Sequence, residues 1–124
     1  MIGQKRTHAN FSVNDLEAAK NFYVGKLGFN VKFEMEGMLL LESGAGTLVG
    51  VYYKPDHKPW DSTVMGVEVD DVRQAVGELG SLGINVEKIE GTDESGVMSD
   101  PQMGDAAWFR DPAGNWICLE KFQS

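Results

Sequence analysis

An internal repeat constrains this chain more than any other feature. Val13-Asn14-Asp15-Leu16 and Val69-Asp70-Asp71-Val72 each close a short alternating segment. The first leads on to Leu27-Gly28-Phe29-Asn30-Val31 and the second to Leu82-Gly83-Ile84-Asn85-Val86. The two halves agree in order and nearly in spacing, which duplication explains and chance does not. Whatever one half folds into, the other is expected to fold into as well.

Each copy reads as a strand, a helix and then three strands. Asn14 or Asp15 can cap the first helix, with Glu17 in capping-box spacing from Asn14, and Leu16, Ala19, Tyr23 and Leu27 recur at helical intervals. Val72, Ala75, Val76, Leu79 and Leu82 draw the same apolar stripe in the second copy, so each helix is expected to lay one face on a sheet. Gly28 and Gly83 follow the helices, where a left-handed residue is common. Strand-like runs are expected at 30–35, 38–42 and 47–53, then at 86–90, 106–110 and 116–122. The segment 91–105, rich in Gly, Ser and Asp, reads as one long loop, either a lid or a surface loop. Gly44-Ala45-Gly46 reads as a turn, since no helix start or Gly-Lys-Ser follows it to cradle phosphate.

The chain's 124 residues suit one α+β domain: a first module at about 5–54, a crossing linker at 55–62 containing Pro55 and Pro59, and a second module at about 63–122. No apolar run approaches the roughly 20 residues that span a bilayer, and the first residues lack the apolar stretch of a secretory signal. A cytoplasmic setting is therefore expected. One cysteine excludes an internal disulfide framework and a cysteine-rich zinc site. The formal charge of −8 opposes nucleic-acid binding and allows a cationic ligand, although an acidic surface also serves solubility alone.

Two stretches carry a resemblance. Val13-Asn14-Asp15-Leu16, with Asn21-Phe22-Tyr23 and Leu27-Gly28-Phe29 after it, is the first. Trp108-Phe109-Arg110-Asp111-Pro112-Ala113-Gly114-Asn115 is the second. Through them nearly the whole chain resembles the vicinal oxygen chelate superfamily, which includes glyoxalase I, extradiol dioxygenases and the fosfomycin- and bleomycin-resistance proteins. The resemblance implies two βαβββ modules whose curved mixed sheet encloses a cleft, helices packed outside, and a homodimer. It implies fold far more specifically than function.

In the metal-using members the first and last strands of each module supply the ligands. The matching positions here are His8, Gly50, Val64 and Cys118, so the expected mixture of His, Glu and Gln appears once. Gly50 and Val64 offer no side-chain donor, and Cys118 ligates only as thiolate. A two-residue shift in register recruits Glu68 and Glu120, and a divalent metal, if held at all, would rest on His8, Glu68 and Glu120.

Strand parity places His8, Asn10 and Ser12 on one polar face, opposite Ala9, Phe11 and Val13. His8 reads as a hydrogen-bonded, half-buried histidine, as a ligand contact, or as a coordinating or basic group. His57, between prolines, reads as a surface residue. Glu68 is the candidate for recognising a basic ligand or for base chemistry, against a rim carboxylate paired with Lys or Arg. Tyr52, Trp60, Trp108 and Trp116 offer aromatic walls for planar or cationic guests, against ordinary core packing. Cys118 either fills a small apolar position or needs His8 as a base to act as a nucleophile.

The reading is metal-independent binding of a small organic molecule, cationic or aromatic, in the manner of bleomycin-resistance proteins that sequester a toxic or antibiotic compound. Its walls are His8, Asn10, Ser12, Tyr52, Glu68, Trp108, Cys118 and Glu120, with no cofactor. The alternatives are a divalent-metal lyase, isomerase or dioxygenase of the glyoxalase I type, and an accessory module with a vestigial cleft. No catalytic residue is assigned.

Overall fold

The alternating segments become two mixed sheets of four strands, one in each half of the chain, in a computed structural model that describes residues 1–122. The chain divides into two compact units, Met1–Pro59 and a second from Trp60 onward, and the division falls inside the proline-bearing segment.

In the first unit a 3₁₀ turn, Ile2–Gln4, precedes β1 (Ala9–Val13), helix α1 (Leu16–Lys20), a π-helical segment (Asn21–Lys26), β2 (Asn30–Met35), β3 (Met38–Glu42) and β4 (Leu48–Tyr53). The second unit runs β5 (Thr63–Glu68), α2 (Val72–Ser81), β6 (Met98–Asp100), β7 (Gly104–Arg110) and β8 (Trp116–Lys121). Strand orders are β1-β4-β3-β2 and β5-β8-β7-β6, with the first pair parallel and the rest antiparallel in both sheets. The repeat read in the residues is thus a repeat of topology.

Matching residues start both helices. The Asp15 carboxylate accepts from the Ala18 N–H at 3.0 Å, and that of Asp71 from the Gln74 N–H at 3.1 Å. The cap is Asp15 rather than Asn14, so the Asn14–Glu17 capping-box spacing is not the one used. Both helices stop before a glycine with positive φ, 82° at Gly28 and 79° at Gly83, a conformation that costs residues with a Cβ.

Between cap and glycine the first copy is one residue longer, and a single regular helix to Gly28 does not form. The surplus is taken up as a π turn: the Leu27 N–H donates to Phe22 O at 3.0 Å and the Phe29 N–H to Tyr23 O at 2.9 Å. A π turn holds one more residue than an α turn, so the chain accommodates the insertion without leaving the helix.

Residues 86–90 are not a strand, against expectation. Thr92 holds a turn there, its hydroxyl donating to Ile89 O at 2.7 Å and accepting from the Ile89 N–H at 3.1 Å. The segment keeps one bond to the edge of the sheet, the Glu87 N–H donating to Trp108 O of β7 at 2.7 Å, and does not continue as a ladder. The third strand of that triplet is β6, inside what read as one long loop. Asp93 ties the start of that segment to α2 through Arg73 at 2.7 Å. The Arg73 hydrogen bond, with N–H groups of Val97 and Ser95, holds the Asp93 carboxyl below its ordinary range.

α1 packs over β3 and β4, and α2 over β7 and β8. Phe11, Val13, Leu39, Leu41, Val49 and Val51 meet Ala19, Phe22 and Tyr23 under the first helix. Ala107, Phe109, Ile117 and Leu119 meet Val72 and Leu79 under the second. Burial of each large side chain contributes roughly 1.5–3 kcal/mol, which makes these faces the cores and leaves the opposite faces for recognition.

Candidate functional site

On the face of the second sheet away from α2, strand register sets out three rows. Thr63, Trp116 and Arg110 form one; Gly66, Cys118 and Trp108 the next; Glu68, Glu120 and Ala106 the third. The Trp108 indole N–H reaches Thr63 Oγ1 at 3.2 Å, although β8 lies between their strands. The ring therefore reaches across β8 toward the row of Thr63 and Trp116. The Glu120 carboxylate folds toward Gly66, so that a Cβ built there would stand 3.1 Å from its oxygen.

Cys118 is only 4% exposed, although its strand position faces the same way as those of Trp108 and Glu120, and the Glu120 carboxylate meets its thiol. Burial first, then the hydrogen bond and negative charge of Glu120, push its thiol up to about 12 from an ordinary 9.0. It is a floor atom and a thiol, a poor nucleophile and a poor metal ligand. Iodoacetamide is expected to alkylate it at least about tenfold more slowly in the folded protein than in the denatured chain at mildly alkaline pH. Reactivity should climb only as pH nears the raised value. Equal rates in the two states would show an open, ionised sulfur.

Trp116 is not a free aromatic wall. The Arg110 guanidinium lies over its ring, 4.0 Å from the centroid, and Glu87 Oε1 is 3.5 Å from Arg110 Nε. Trp108 and the neighbouring carboxylates of Glu68 and Glu120 are what this face presents.

In the first sheet, Asn10, Gly50, Leu40 and Phe33 share a row, and Ser12, Tyr52, Met38 and Met35 the next. The Asn10 carboxamide occupies the space a side chain at Gly50 would need. Ser12 Oγ lies 2.6 Å from His57 Nδ1, so the histidine read as a surface residue is tied to this face, part-buried. A turn brings it there, with the His57 N–H donating to Lys54 O at 3.0 Å and the Lys54 N–H to Val13 O at 2.9 Å. The flanking prolines that mark the segment as a linker also favour that turn.

The expected wall residues thus fall into two groups: Asn10, Ser12 and Tyr52 on the first sheet, and Glu68, Trp108, Cys118 and Glu120 on the second. His8 precedes β1, is exposed and stands outside the ladder. Trp60 is 66% exposed in the linking segment.

These donors do not fit the divalent metal that members of such a fold often use. Position 50 is filled by a neutral amide, Cys118 is held as a thiol, and Glu68 and Glu120 are one pair of carboxylates. Among the described residues no three His, Cys, Asp or Glu side chains stand together as a metal site.

The model of the Glyoxalase/Bleomycin resistance protein/Dioxygenase superfamily matches residues 5–119. A solved member of that superfamily from Sphaerobacter thermophilus is 26% identical, with a TM-score of 0.77 over 98% of this chain and 99% of its own. TnmS3, an antibiotic binding protein from Streptomyces sp., is 27% identical, with a TM-score of 0.70 over 97% of this chain and 98% of its own. The bleomycin resistance determinant encoded on transposon Tn5 shares the fold at 20% identity, with a TM-score of 0.71 over 98% of this chain and 100% of its own. No curated protein matches the chain. With a duplicated βαβββ topology, and a family match running from before β1 into β8, the chain belongs to the Glyoxalase/Bleomycin resistance protein/Dioxygenase superfamily.

Proposed function

We propose that this protein binds and sequesters a small cationic aromatic molecule, of the kind found among antibiotics, without a metal. The observation that carries the reading is the pairing of Glu68 with Glu120 one row from Trp108 on the same sheet face. Two carboxylates side by side repel, and a guest cation relieves that repulsion while its flat ring stacks on the indole. The overall charge of −8 steers such guests and repels anions. Likeness to TnmS3, an antibiotic binding protein, supports the class of ligand. The raised thiol of Cys118 and the amide at Gly50 support metal independence.

Calorimetric titration with bleomycin and with proflavine tests this. Saturable binding is expected, weakening as salt screens the charges. Glu68→Gln with Glu120→Gln should weaken it by about 1.5–3 kcal/mol, roughly tenfold to a hundredfold, the loss expected for charge-assisted contacts. Undiminished affinity in the double variant would sink the reading, as would failure of every cationic aromatic probe. We take a cytoplasmic homodimer as part of the same reading. Light scattering checks the assembly.

A further inference from the structure

The first unit holds a second recess, on the helix side of its sheet and away from Asn10, Ser12 and Tyr52. It has a volume of about 460 Å³, within the range of roughly 300–1,000 Å³ usual for small-molecule pockets. Its origin is geometric. α1 covers β3 and β4, while β2 is the outermost strand, so a groove is left between the helix and β2, floored by buried Leu39. Glu34 shares Leu39's row and so rises from β2 on the same side. From the helix come Leu16, Glu17, Lys20 and Asn21, spaced so that they share one face.

The lining has three parts. Lys20 gives a cation; Glu17 and Glu34 give carboxylates; Leu16 and Leu39 give an apolar wall. Lys20 Nζ and Glu34 Oε1 bridge at 2.9 Å, with side chains 43% and 51% exposed. An ion pair so open to water contributes little stability, so opening it is cheap. A molecule carrying both charges replaces one solvated pair with two, and one with an apolar tail also covers Leu39.

We propose that this groove binds an apolar α-amino acid or a close zwitterionic analogue. The ligand carboxylate sits on Lys20, its ammonium on Glu34 and Glu17, and its side chain against Leu16 and Leu39. The inference does not rest on the cationic aromatic site of the second sheet, and either can fail alone.

The test is a two-dimensional amide NMR titration of the whole protein with L-leucine. Saturable shifts are expected at residues 16–21 and 33–39, and not along β5 and β8. Lys20→Met and Glu34→Gln should each weaken binding at least about tenfold, with amides elsewhere in the spectrum unmoved. 4-Methylpentanoate, which lacks the ammonium, and isoamylamine, which lacks the carboxylate, should each bind at least about tenfold less well than leucine. The proposal is overturned if no shift saturates up to the solubility of leucine. It is equally overturned if both variants bind as the parent does, or if a singly charged analogue equals leucine.

Discussion

Replacing Tyr23 with alanine is expected to lower the stability of the protein by about 3–5 kcal/mol, the range for deleting a large aromatic side chain from a core. Tyr23 is 0% exposed and sits at the centre of an aromatic cluster. Phe22 meets it edge-on with ring centroids 5.1 Å apart and Phe29 edge-on at 6.1 Å, while Phe11 of β1 lies tilted at 5.8 Å. Each such pair adds roughly 0.5–1.5 kcal/mol beyond burial. One ring therefore joins the first strand, the π segment and the start of β2. Urea unfolding measures the loss through the shift in midpoint at constant slope. Tyr23→Phe keeps the ring and should lose much less. A loss below about 1 kcal/mol in Tyr23→Ala would mean that the helix is not held as described.

Phe22 and Tyr23, neighbours in the π segment, are both buried.

Much of this was legible in the residues, because the physics behind it is local. Asp15 and Asp71 cap, Gly28 and Gly83 stop, and alternating apolar residues choose a sheet face whatever lies further along the chain. The repeat doubled each of those signals and carried the topology with it. The misreadings lie where a side chain outside the pattern decides. Residues 86–90 have a strand-like run, but the Thr92 hydroxyl closes a turn at Ile89, and a short strand from the loop pairs with β7. His57 looks solvated until Ser12, 45 residues away, is brought to it.

The candidate site divides in the same way. Parity foretold the grouping of Glu68, Glu120 and Cys118, because alternation alone sets which residues share a face, and the β7 register adds Trp108 to them. It did not foretell that Cys118 would be the floor rather than a wall. That depends on how the Glu120 carboxylate folds back over the sheet toward Gly66 and Cys118. Nor does alternation show that Arg110 covers Trp116, since both residues appear equally available on their own strands.

The second large effect falls on Asp111, where alanine is expected to cost about 3 kcal/mol although the residue touches neither recognition face. Asp111 and Asn115 are the polar residues of the core, 5% and 1% exposed. Asp111 Oδ1 accepts from the N–H groups of Ala113 at 3.0 Å and Asn115 at 2.8 Å, and Oδ2 accepts from Asn115 Nδ2 at 3.0 Å. The backbone closes around them, with the Asp111 N–H donating to Asn115 O at 3.0 Å. Removing the carboxylate takes an acceptor from all three donors, two of them buried, and each buried hydrogen bond lost in this way costs about 1–3 kcal/mol. Asp111→Asn separates charge from geometry. One amide oxygen can still accept from the two backbone N–H groups, but its NH₂ then opposes the NH₂ of Asn115, so an intermediate loss is expected. The turn aligns β7 with β8, and that register puts Trp108 beside Cys118 and Ala106 beside Glu120. Alanine at position 111 should therefore weaken binding of a cationic aromatic guest as well as lower the urea midpoint. If affinity holds while stability falls, the strand pairing is fixed by the sheet alone and the Asp-Pro-Ala-Gly-Asn stretch serves only to close the chain.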